Sequence, residues 1–250
     1  MSPIVKFGDC RNLIKELDKE SVRLIVTSPP YNLGKKYGQY NDNLALEEWT
    51  QLIDDVLKLS YNVLSPNGSF FLNLSPIPDK KTSEIIPLES IAWQIGKKYN
   101  YFLRNSIIWT FNNMQNCINR LSGRWENILW FVKDIENYIF NLKDVKIPVI
   151  TKNDKRFDAS QGRNPTDVWY FDRVNNMTKK KLGIDAPCVY PVPMIERIIK
   201  MASNPRDLVL DPFVGSGSTL VACKRNNRNG IGFEIDRKYE KLIWKRLDSE

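Results

Sequence analysis

The sequence contains no histidine and only four cysteines among its 250 residues. Without histidine the commonest general base is absent, and every Ser/His or Cys/His nucleophile pair is excluded. No CxxC pair occurs among the cysteines, which are Cys10, Cys117, Cys188 and Cys223. We therefore predict no metal site and no disulfide framework, and we expect a protein of a reducing compartment.

Long apolar runs are also missing from the chain. No stretch of eighteen or more apolar residues occurs, and Met1 is followed directly by an apolar strand pattern. Neither a membrane span nor a signal peptide is predicted from these features. The expectation is a soluble, cytoplasmic protein without a membrane partner.

The charge is strongly positive, with a net value of +8 at pH 7. Cationic side chains gain binding free energy by releasing the counterions condensed on phosphates, so this excess favours a polyanionic partner. Residues 141–185 carry ten lysines and arginines against six aspartates, and regular hydrophobic periodicity fades there. This segment is predicted to be a separate recognition insertion.

Short β-branched runs such as Val22–Val26 alternate with helical patterns such as Trp49–Leu64. Strands that alternate with helices predict an α/β fold, with a mainly parallel sheet and helices on both faces. At this length we expect one core, divided into a catalytic half (1–140), the insertion (141–185) and a cofactor-binding half (186–250). Both a monomer and a homodimer are compatible with the sequence.

A glycine turn follows an apolar strand at Asp211-Pro212-Phe213-Val214-Gly215-Ser216-Gly217-Ser218-Thr219. Its two glycines let the backbone approach a ligand closely before a helix begins. The preceding acid, Asp211, suits a cationic amino acid group better than a phosphate. Glu234 ends the next strand, where an acid can accept hydrogen bonds from ribose hydroxyls. The alternative is an ordinary tight strand-to-helix turn.

The segment Ser28-Pro29-Pro30-Tyr31 follows another apolar strand. Proline fixes φ and lacks an N–H, so this backbone presents carbonyl acceptors without competing donors. Such acceptors, together with the Ser28 hydroxyl, suit a delocalised base amine, because accepting its hydrogen bonds favours a pyramidal nitrogen. Tyr31 offers a ring for stacking on an unstacked base. A rigid turn that merely ends the strand is the alternative.

These two motifs, in this order, resemble the β-class, circularly permuted DNA amino-methyltransferases. The resemblance implies a Rossmann-like methyltransferase fold with a seven-stranded sheet, a small target-recognition insertion, and S-adenosylmethionine as cofactor. It also implies direct methyl transfer to an exocyclic base nitrogen, with Ser28, Pro29, Pro30 and Tyr31 as the catalytic residues. The cofactor-binding residues that it implies are Asp9, Cys10, Asp211, Phe213, Gly215, Gly217, Ser218 and Glu234. Asp9 is equally well placed to be a helix N-cap.

Within the family, Ser-Pro-Pro-Tyr is typical of N4-cytosine enzymes and Asp-Pro-Pro-Tyr of N6-adenine enzymes. Ser28 therefore favours cytosine, flipped out of duplex DNA, and adenine is the alternative. The protein is interpreted as the modification arm of a restriction system, with a cognate endonuclease as possible partner. A protein-glutamine methyltransferase and a non-catalytic DNA-binding protein on this scaffold are more distant readings.

Several residues of the insertion are candidates for DNA contact. Lysines 179 to 181 are predicted to bind phosphates, and arginines there can make bidentate contacts to guanine. The aromatic residues of the insertion form either its small core or a stacking platform. The arginine and aromatic candidates are Arg156, Phe157, Arg163, Trp169, Tyr170, Phe171 and Arg173.

Overall fold

The structure is a computed structural model, and it describes residues 3–112, 116–148 and 162–250. Two of the candidate DNA contacts, Arg156 and Phe157, lie outside these ranges. The strands within them are β1 (Ile4–Phe7), β2 (Val22–Thr27), β3 (Lys36–Tyr37), β4 (Tyr40–Asn41), β5 (Leu64–Leu74), β6 (Ile77–Pro78), β7 (Ile85–Ile86), β8 (Phe102–Thr110), β9 (Trp125–Val132), β10 (Val168–Tyr170), β11 (Leu208–Asp211) and β12 (Asn229–Glu234).

The helices connect these strands and flank the sheet. They are α1 (Cys10–Leu13), α2 (Leu46–Val63), α3 (Leu88–Lys98), α4 (Asn176–Leu182), α5 (Val192–Ala202), α6 (Ser218–Arg225) and α7 (Glu240–Asp248). Short 3-10 turns occupy Ile14–Glu16, Leu142–Val145 and Arg237–Tyr239. None of the helices in the described part of the chain is long and apolar enough to cross a membrane.

One large sheet organises the molecule, with the strand order β1-β12-β11-β2-β5-β9-β8-β10. Neighbouring strands are parallel except at β9, which runs antiparallel to both β5 and β8. The prediction of a mainly parallel sheet with a Rossmann-like order is therefore confirmed. Strands β3 and β4 form a separate hairpin, as do β6 and β7.

The sheet has eight strands where seven were predicted, because β10 joins its edge beside β8. This strand comes from the predicted insertion, so the insertion contributes to the core. Trp169 at its centre is buried, whereas Val168 and Tyr170 on either side are exposed. An alternation of only three residues is too short to be recognised as a strand pattern in the sequence.

Successive residues of the central strands point to opposite faces of the sheet, and each face carries its own helices. Ile25 and Phe70 belong to the cluster that includes α2 and α3. Val26 and Phe71 belong to the cluster that includes α5 and α6. Both faces are thus buried, which explains why the central strands are nearly continuous apolar runs.

The strands that carry the two motifs are direct neighbours. In the register of β11 on β2, Leu210 lies opposite Ile25, so the strand before the glycine turn abuts the strand before Ser28. At the far side β1 pairs with β12, which brings the two ends of the chain together. A single sheet therefore unites the halves that the sequence separates.

Candidate active site

The carboxyl ends of β1, β12, β11, β2 and β5 meet at one edge of the sheet, as parallel strands require. A cavity of about 1440 Å³ opens along this edge. It is lined by eleven of the twelve residues that the sequence predicted for the site: Asp9, Cys10, Ser28, Pro29, Pro30, Tyr31, Asp211, Phe213, Gly215, Ser218 and Glu234.

Gly217 is the exception, because it does not line the cavity. It has φ +83° at the N-cap of α6, and a Cβ there would lie 3.1 Å from Ile243 Cγ2 on α7. Gly215, with φ +52°, would place a Cβ no closer than 3.9 Å to the Phe213 carbonyl oxygen. The two glycines thus have different roles. At Gly217 the missing side chain lets α7 pack closely, and at Gly215 it leaves space on the cavity side.

Asp211 is buried at the end of β11 and is saturated with hydrogen bonds from the protein. Thr27 Oγ1 donates to Oδ1 at 2.7 Å, Thr219 Oγ1 donates to Oδ2 at 2.5 Å, and the Phe213 amide donates to Oδ1 at 3.0 Å. Burial raises the pKa of this carboxyl to about 6, and the hydroxyl donors oppose that rise. The carboxylate therefore fixes the glycine turn as well as facing the cavity.

Glu234, at the end of β12, braces the same turn from the other side. Its Oε2 accepts a hydrogen bond from the Gly215 amide at 2.9 Å, and its Oε1 accepts one from the Asp236 amide at 3.0 Å. Burial raises its pKa above the ordinary value for a glutamate. The carboxylate lines the cavity and still has lone pairs to offer to hydroxyl groups of a ligand.

Asp9 both lines the cavity and caps a helix. It is the N-cap of α1, where its carboxylate accepts the Arg11 amide at 2.9 Å and the Arg11 guanidinium at 2.6 Å. The Arg11 side chain lowers the pKa of Asp9, which keeps the carboxylate charged. The adjoining Cys10 thiol is buried, and burial raises its pKa to about 12, so it stays protonated.

On the catalytic side, Tyr31 turns its hydroxyl inward to two polar groups that the sequence analysis missed. Tyr31 donates to Glu126 Oε2 at 2.9 Å, and Ser28 Oγ lies 2.8 Å from the Tyr31 oxygen. Asn73 Nδ2 donates to both the Tyr31 oxygen and Glu126 Oε2, the latter at 2.6 Å. The available signal was a polar residue at one end of an apolar run: Asn73 follows residues 70–72 in β5, and Glu126, with Asn127, precedes residues 128–132 in β9.

The two proline carbonyls have different surroundings. The Pro30 carbonyl accepts a hydrogen bond of 2.8 Å from the indole nitrogen of Trp49, which is fully buried on α2. No residue in the described part of the chain donates to the Pro29 carbonyl. Trp49 therefore anchors the turn, and Pro29 carries the acceptor that is left for a ligand.

The segment between α4 and α5 forms part of the cavity wall. Pro187, Cys188, Val189 and Tyr190 all line the cavity. The Tyr190 hydroxyl is buried without a hydrogen-bond partner among the described residues, and its ring lies 6.1 Å from that of Trp109. This segment thus brings to the cavity a polar atom that has no hydrogen-bond partner in the described part of the chain.

Basic side chains surround the mouth of the cavity, where Lys35, Arg120 and Arg173 contribute to its lining. Lys179, which the sequence suggested as a phosphate contact, instead donates to the carbonyls of Ala186 and Pro187, at 2.9 and 2.7 Å. Its ammonium group is thus occupied in holding the segment between α4 and α5.

The aromatic candidates of the insertion also separate by environment. Trp169 is buried in the core beneath β8, and Tyr170 is exposed. Phe171 faces the Arg197 guanidinium, 4.8 Å from its ring centre. Of the two alternatives, core packing therefore describes Trp169.

The sheet is mainly parallel, and it joins a glycine turn, two strand-end acids and a Ser-Pro-Pro-Tyr segment at one cavity. This combination defines a methyltransferase-type α/β protein. Residues 22–245 match the N6/N4 methyltransferase family, described as DNA methylase. The chain belongs to this family, and the resemblance seen in the sequence is confirmed. It is accordingly a DNA methyltransferase of the N4/N6 family.

Curated relatives agree over nearly the whole chain. The type II methyltransferase M.HpaI of Haemophilus parainfluenzae is 34% identical, with 96% of this chain and 74% of that protein covered. The type II methyltransferase M.BglII of Bacillus subtilis is 33% identical, with 97% and 68% covered. The DNA adenine methyltransferase YhdJ of Escherichia coli K12 is 32% identical, with 96% and 81% covered.

Solved structures show the same fold. The PvuII DNA methyltransferase, described as cytosine-N4-specific, aligns with a TM-score of 0.75 at 22% identity and covers 100% of this chain and 94% of that one. The M1.HpyAVI complex with its cofactor SAM (S-adenosylmethionine) aligns with a TM-score of 0.67 at 25% identity and covers 98% of both chains. The prediction of S-adenosylmethionine as cofactor is confirmed for the family.

Proposed function

We propose that this protein transfers a methyl group from S-adenosylmethionine to the exocyclic N4 of a cytosine that is flipped out of duplex DNA. The observation that carries the proposal is Ser28, which lines the cavity next to Pro29, and the Pro29 carbonyl accepts no hydrogen bond from the described residues. Two adjacent acceptors match the two N–H bonds of a base amine. Serine at this position is the residue typical of N4-cytosine enzymes in this family.

The cavity suits two ligands side by side. Its volume, about 1440 Å³, exceeds what one small ligand fills. Gly215 leaves open space next to Phe213, and Glu234 and Asp9 present charged oxygens on the same side. In the proposed complex Gly215 and Phe213 hold the methionine part, Glu234 the ribose and Asp9 the adenine side.

S-adenosylmethionine, when bound, supplies an electrophilic methyl group on a sulfonium. The residues of the chain then have to orient the amine and accept charge from it. Ser28 Oγ and the Pro29 carbonyl accept its hydrogen bonds, and this favours a lone pair directed at the methyl group. Tyr31, held by Glu126, restrains the base in the plane that these acceptors need.

The test is incubation with labelled S-adenosylmethionine and mixed-sequence duplex DNA, followed by digestion to nucleosides and mass spectrometry. We expect label in N4-methylcytosine, and we expect Ser28→Ala to lose it while it still binds the cofactor. Label in N6-methyladenine would establish the adenine alternative, which the 32% identity to YhdJ supports. Tight DNA binding without any label would instead support a non-catalytic DNA-binding protein.

A role in a type II restriction-modification system follows as a second part of the proposal, since relatives bearing that description match nearly all of the chain. DNA modified by the protein should then resist one endonuclease in a panel that covers many recognition sequences. A modified substrate that every enzyme of such a panel still cuts would contradict this assignment.

A further inference from the structure

Glu126 is a buried carboxyl group at the catalytic end of β9, and no cofactor contact in the proposed function uses it. The sequence Trp125–Val132 is otherwise apolar except for Asn127. A carboxyl group placed there costs desolvation free energy, which its hydrogen bonds from Tyr31 and Asn73 offset. The burial of Glu126 at this position suggests a role in the chemistry of the site.

The hydrogen bonds of this cluster have a fixed direction. Asn73 Nδ2 has two protons and only donates, to the Tyr31 oxygen and to Glu126 Oε2. Glu126 as a carboxylate only accepts, so the Tyr31 proton points at Glu126. The remaining partner of the Tyr31 oxygen is Ser28 Oγ, 2.8 Å away.

The consequence falls on Ser28. Because the Tyr31 hydroxyl donates its hydrogen bond to Glu126, Ser28 is the donor in the bond between the Ser28 and Tyr31 hydroxyls. The Ser28 oxygen then keeps both of its lone pairs, and these are what an incoming amine requires. With the opposite direction, Ser28 would use one lone pair on the Tyr31 proton, and only one would remain for the amine.

We propose that Glu126 is a positioning residue that acts on the base amine through Tyr31 and Ser28 and that receives the proton which the amine loses. This inference rests on the proposed function, since it needs an amine at Ser28. It adds a path of three groups, Ser28 to Tyr31 to Glu126, to the transfer reaction.

The step balances without any further reactant. The amine lone pair forms the N–C bond while the S–C bond breaks. The electron pair of the S–C bond stays on sulfur, which becomes a neutral thioether. The nitrogen, now positive, gives a proton to Ser28 Oγ, Ser28 gives its own to Tyr31, and Tyr31 gives its own to Glu126. Glu126 ends protonated and returns the proton to water between turnovers.

The groups that face Glu126 set its charge. Burial raises the pKa of Glu126, while Asn73, Tyr31 and the more distant Arg173 guanidinium oppose that rise. Burial raises the pKa of Tyr190, and the Glu126 charge adds to that rise. Glu126 must be ionised to accept a proton, so the transfer rate should fall as the pH is lowered through its pKa.

The first test compares Glu126→Gln with wild type in single-turnover methyl transfer at saturating DNA and cofactor. Glutamine keeps an acceptor for Tyr31 but cannot take up the proton. We expect the rate at pH 7.5 to fall about 100-fold, in the range for a lost proton-transfer group, with cofactor affinity unchanged within about twofold. We also expect the acidic limb of the pH profile to disappear.

Glu89→Gln is the matched control. Glu89 lies on α3 outside the cavity, and burial raises its pKa as well. The same substitution there should leave both the rate and the acidic limb as in wild type. If the acidic limb of the pH–rate profile disappears in both variants, its cause is general stability, and the assignment to Glu126 is overturned.

A second variant tests the path itself. Tyr31→Phe keeps the ring and removes the hydroxyl that links Ser28 to Glu126. We expect it to lose the acidic limb too, and we expect the double variant Tyr31→Phe/Glu126→Gln to be no slower than the slower single variant, since residues that act as one unit are not additive. Rate losses that multiply in the double variant would contradict a shared path.

The outcomes keep this inference apart from the function on which it rests. If wild type transfers no methyl group to DNA, the proposed function fails, and the role of Glu126 that rests on it fails with it. If wild type is active and Glu126→Gln retains the wild-type rate and pH profile, the function stands and the role of Glu126 is refuted.

Discussion

Thr27 Oγ1 donates a hydrogen bond of 2.7 Å to Asp211 Oδ1, across 184 positions of sequence. Thr27 directly precedes the proposed catalytic segment at Ser28, and Asp211 begins the glycine turn. One buried bond therefore ties the proposed amine side of the cavity to the proposed cofactor side. The two motifs can therefore occur far apart in the sequence, with Ser28 first, and still meet, because the strands that precede them are neighbours and end at the same edge of one sheet.

Removing this bond should weaken both the fold and the reaction. Thr27→Val keeps the shape of the side chain and leaves the buried Asp211 carboxylate with one donor fewer. We expect a loss of about 1.5 to 3 kcal/mol in the free energy of unfolding, as for a hydrogen bond to a charged group, measured by urea titration. Methyl transfer should slow as well, since Ser28 loses its fixed neighbour.

Thr82→Val provides the comparison for this variant. Thr82 donates to the Asp79 carboxylate at 3.0 Å in the same chemical pairing, but at an exposed site. We expect it to cost no more than about 0.5 kcal/mol, as is usual at surfaces. Equal losses in the two threonine variants would show that the buried bond contributes nothing special.

Asp211 should also make stability depend on pH. Its pKa rises from 3.8 to about 6 on folding, so its stabilising contribution is complete below the unfolded pKa and is lost as the pH rises through about 6. Relative to Asp211→Asn, wild type should lose about 2 kcal/mol of unfolding free energy between pH 4 and pH 7. Urea titrations across this range measure the difference.

The comparison of wild type with Asp211→Asn isolates the contribution of the Asp211 carboxyl group. Glu126 and Glu234 also have pKa values raised by burial, and their effects cancel because both proteins contain them. A difference between wild type and Asp211→Asn that stays constant from pH 4 to pH 7 would show that Asp211 is not held in the buried state described here.

The sequence was sufficient to place most of the cavity. Asp211 and Glu234 follow apolar strands, and parallel strands bring such residues to one edge by geometry alone. Ser28 and Tyr31 were recognisable because a Pro-Pro pair is a local, position-specific signal. These features depend on neighbours in sequence, which is why a single chain reveals them.

What the sequence did not reveal depends on contacts distant in sequence. Glu126 and Asn73 reach Tyr31 across 95 and 42 positions, and neither carries a motif of its own. Gly217 was assigned to the cofactor, but its neighbour Ile243 belongs to a helix that sequence spacing cannot position. Lys179 is predicted from the sequence to bind phosphate, whereas in the structure it donates to two backbone carbonyls.

Gly215 offers a test of the cofactor side. In Gly215→Val the new side chain would extend into the space beside Phe213, where we place the methionine part of the cofactor. We expect the affinity for S-adenosylmethionine, measured by calorimetry, to fall at least about tenfold, or about 1.4 kcal/mol. DNA binding without cofactor should persist.

Gly183→Val controls for backbone strain in this experiment. Gly183 ends α4 with φ +63°, close to the +52° of Gly215, and it does not line the cavity. Both variants should lose some stability because a β-branched residue resists a positive φ. Normal cofactor affinity in Gly215→Val, or an equal loss in Gly183→Val, would refute the placement of the cofactor at this turn.

The lysines of α4 differ in their contacts, and we expect them to differ in their effect on DNA binding. Lys180 and Lys181 are exposed, whereas Lys179 is bound to the carbonyls of Ala186 and Pro187. Each lysine that neutralises a DNA phosphate adds about 0.9 to the slope of log affinity against log salt concentration. We therefore expect Lys180→Gln/Lys181→Gln to reduce that slope by about 2.

Lys179→Gln should behave differently, because its ammonium group is not available to DNA. We expect an unchanged salt slope together with a lower unfolding free energy, since the two carbonyls lose a charged donor. Fluorescence anisotropy with labelled duplex DNA at several salt concentrations measures the slopes, and urea titration measures stability. If Lys179→Gln lowers the slope as each exposed lysine does, then the bonds to Ala186 and Pro187 open when DNA binds, and α4 changes its contacts in the complex.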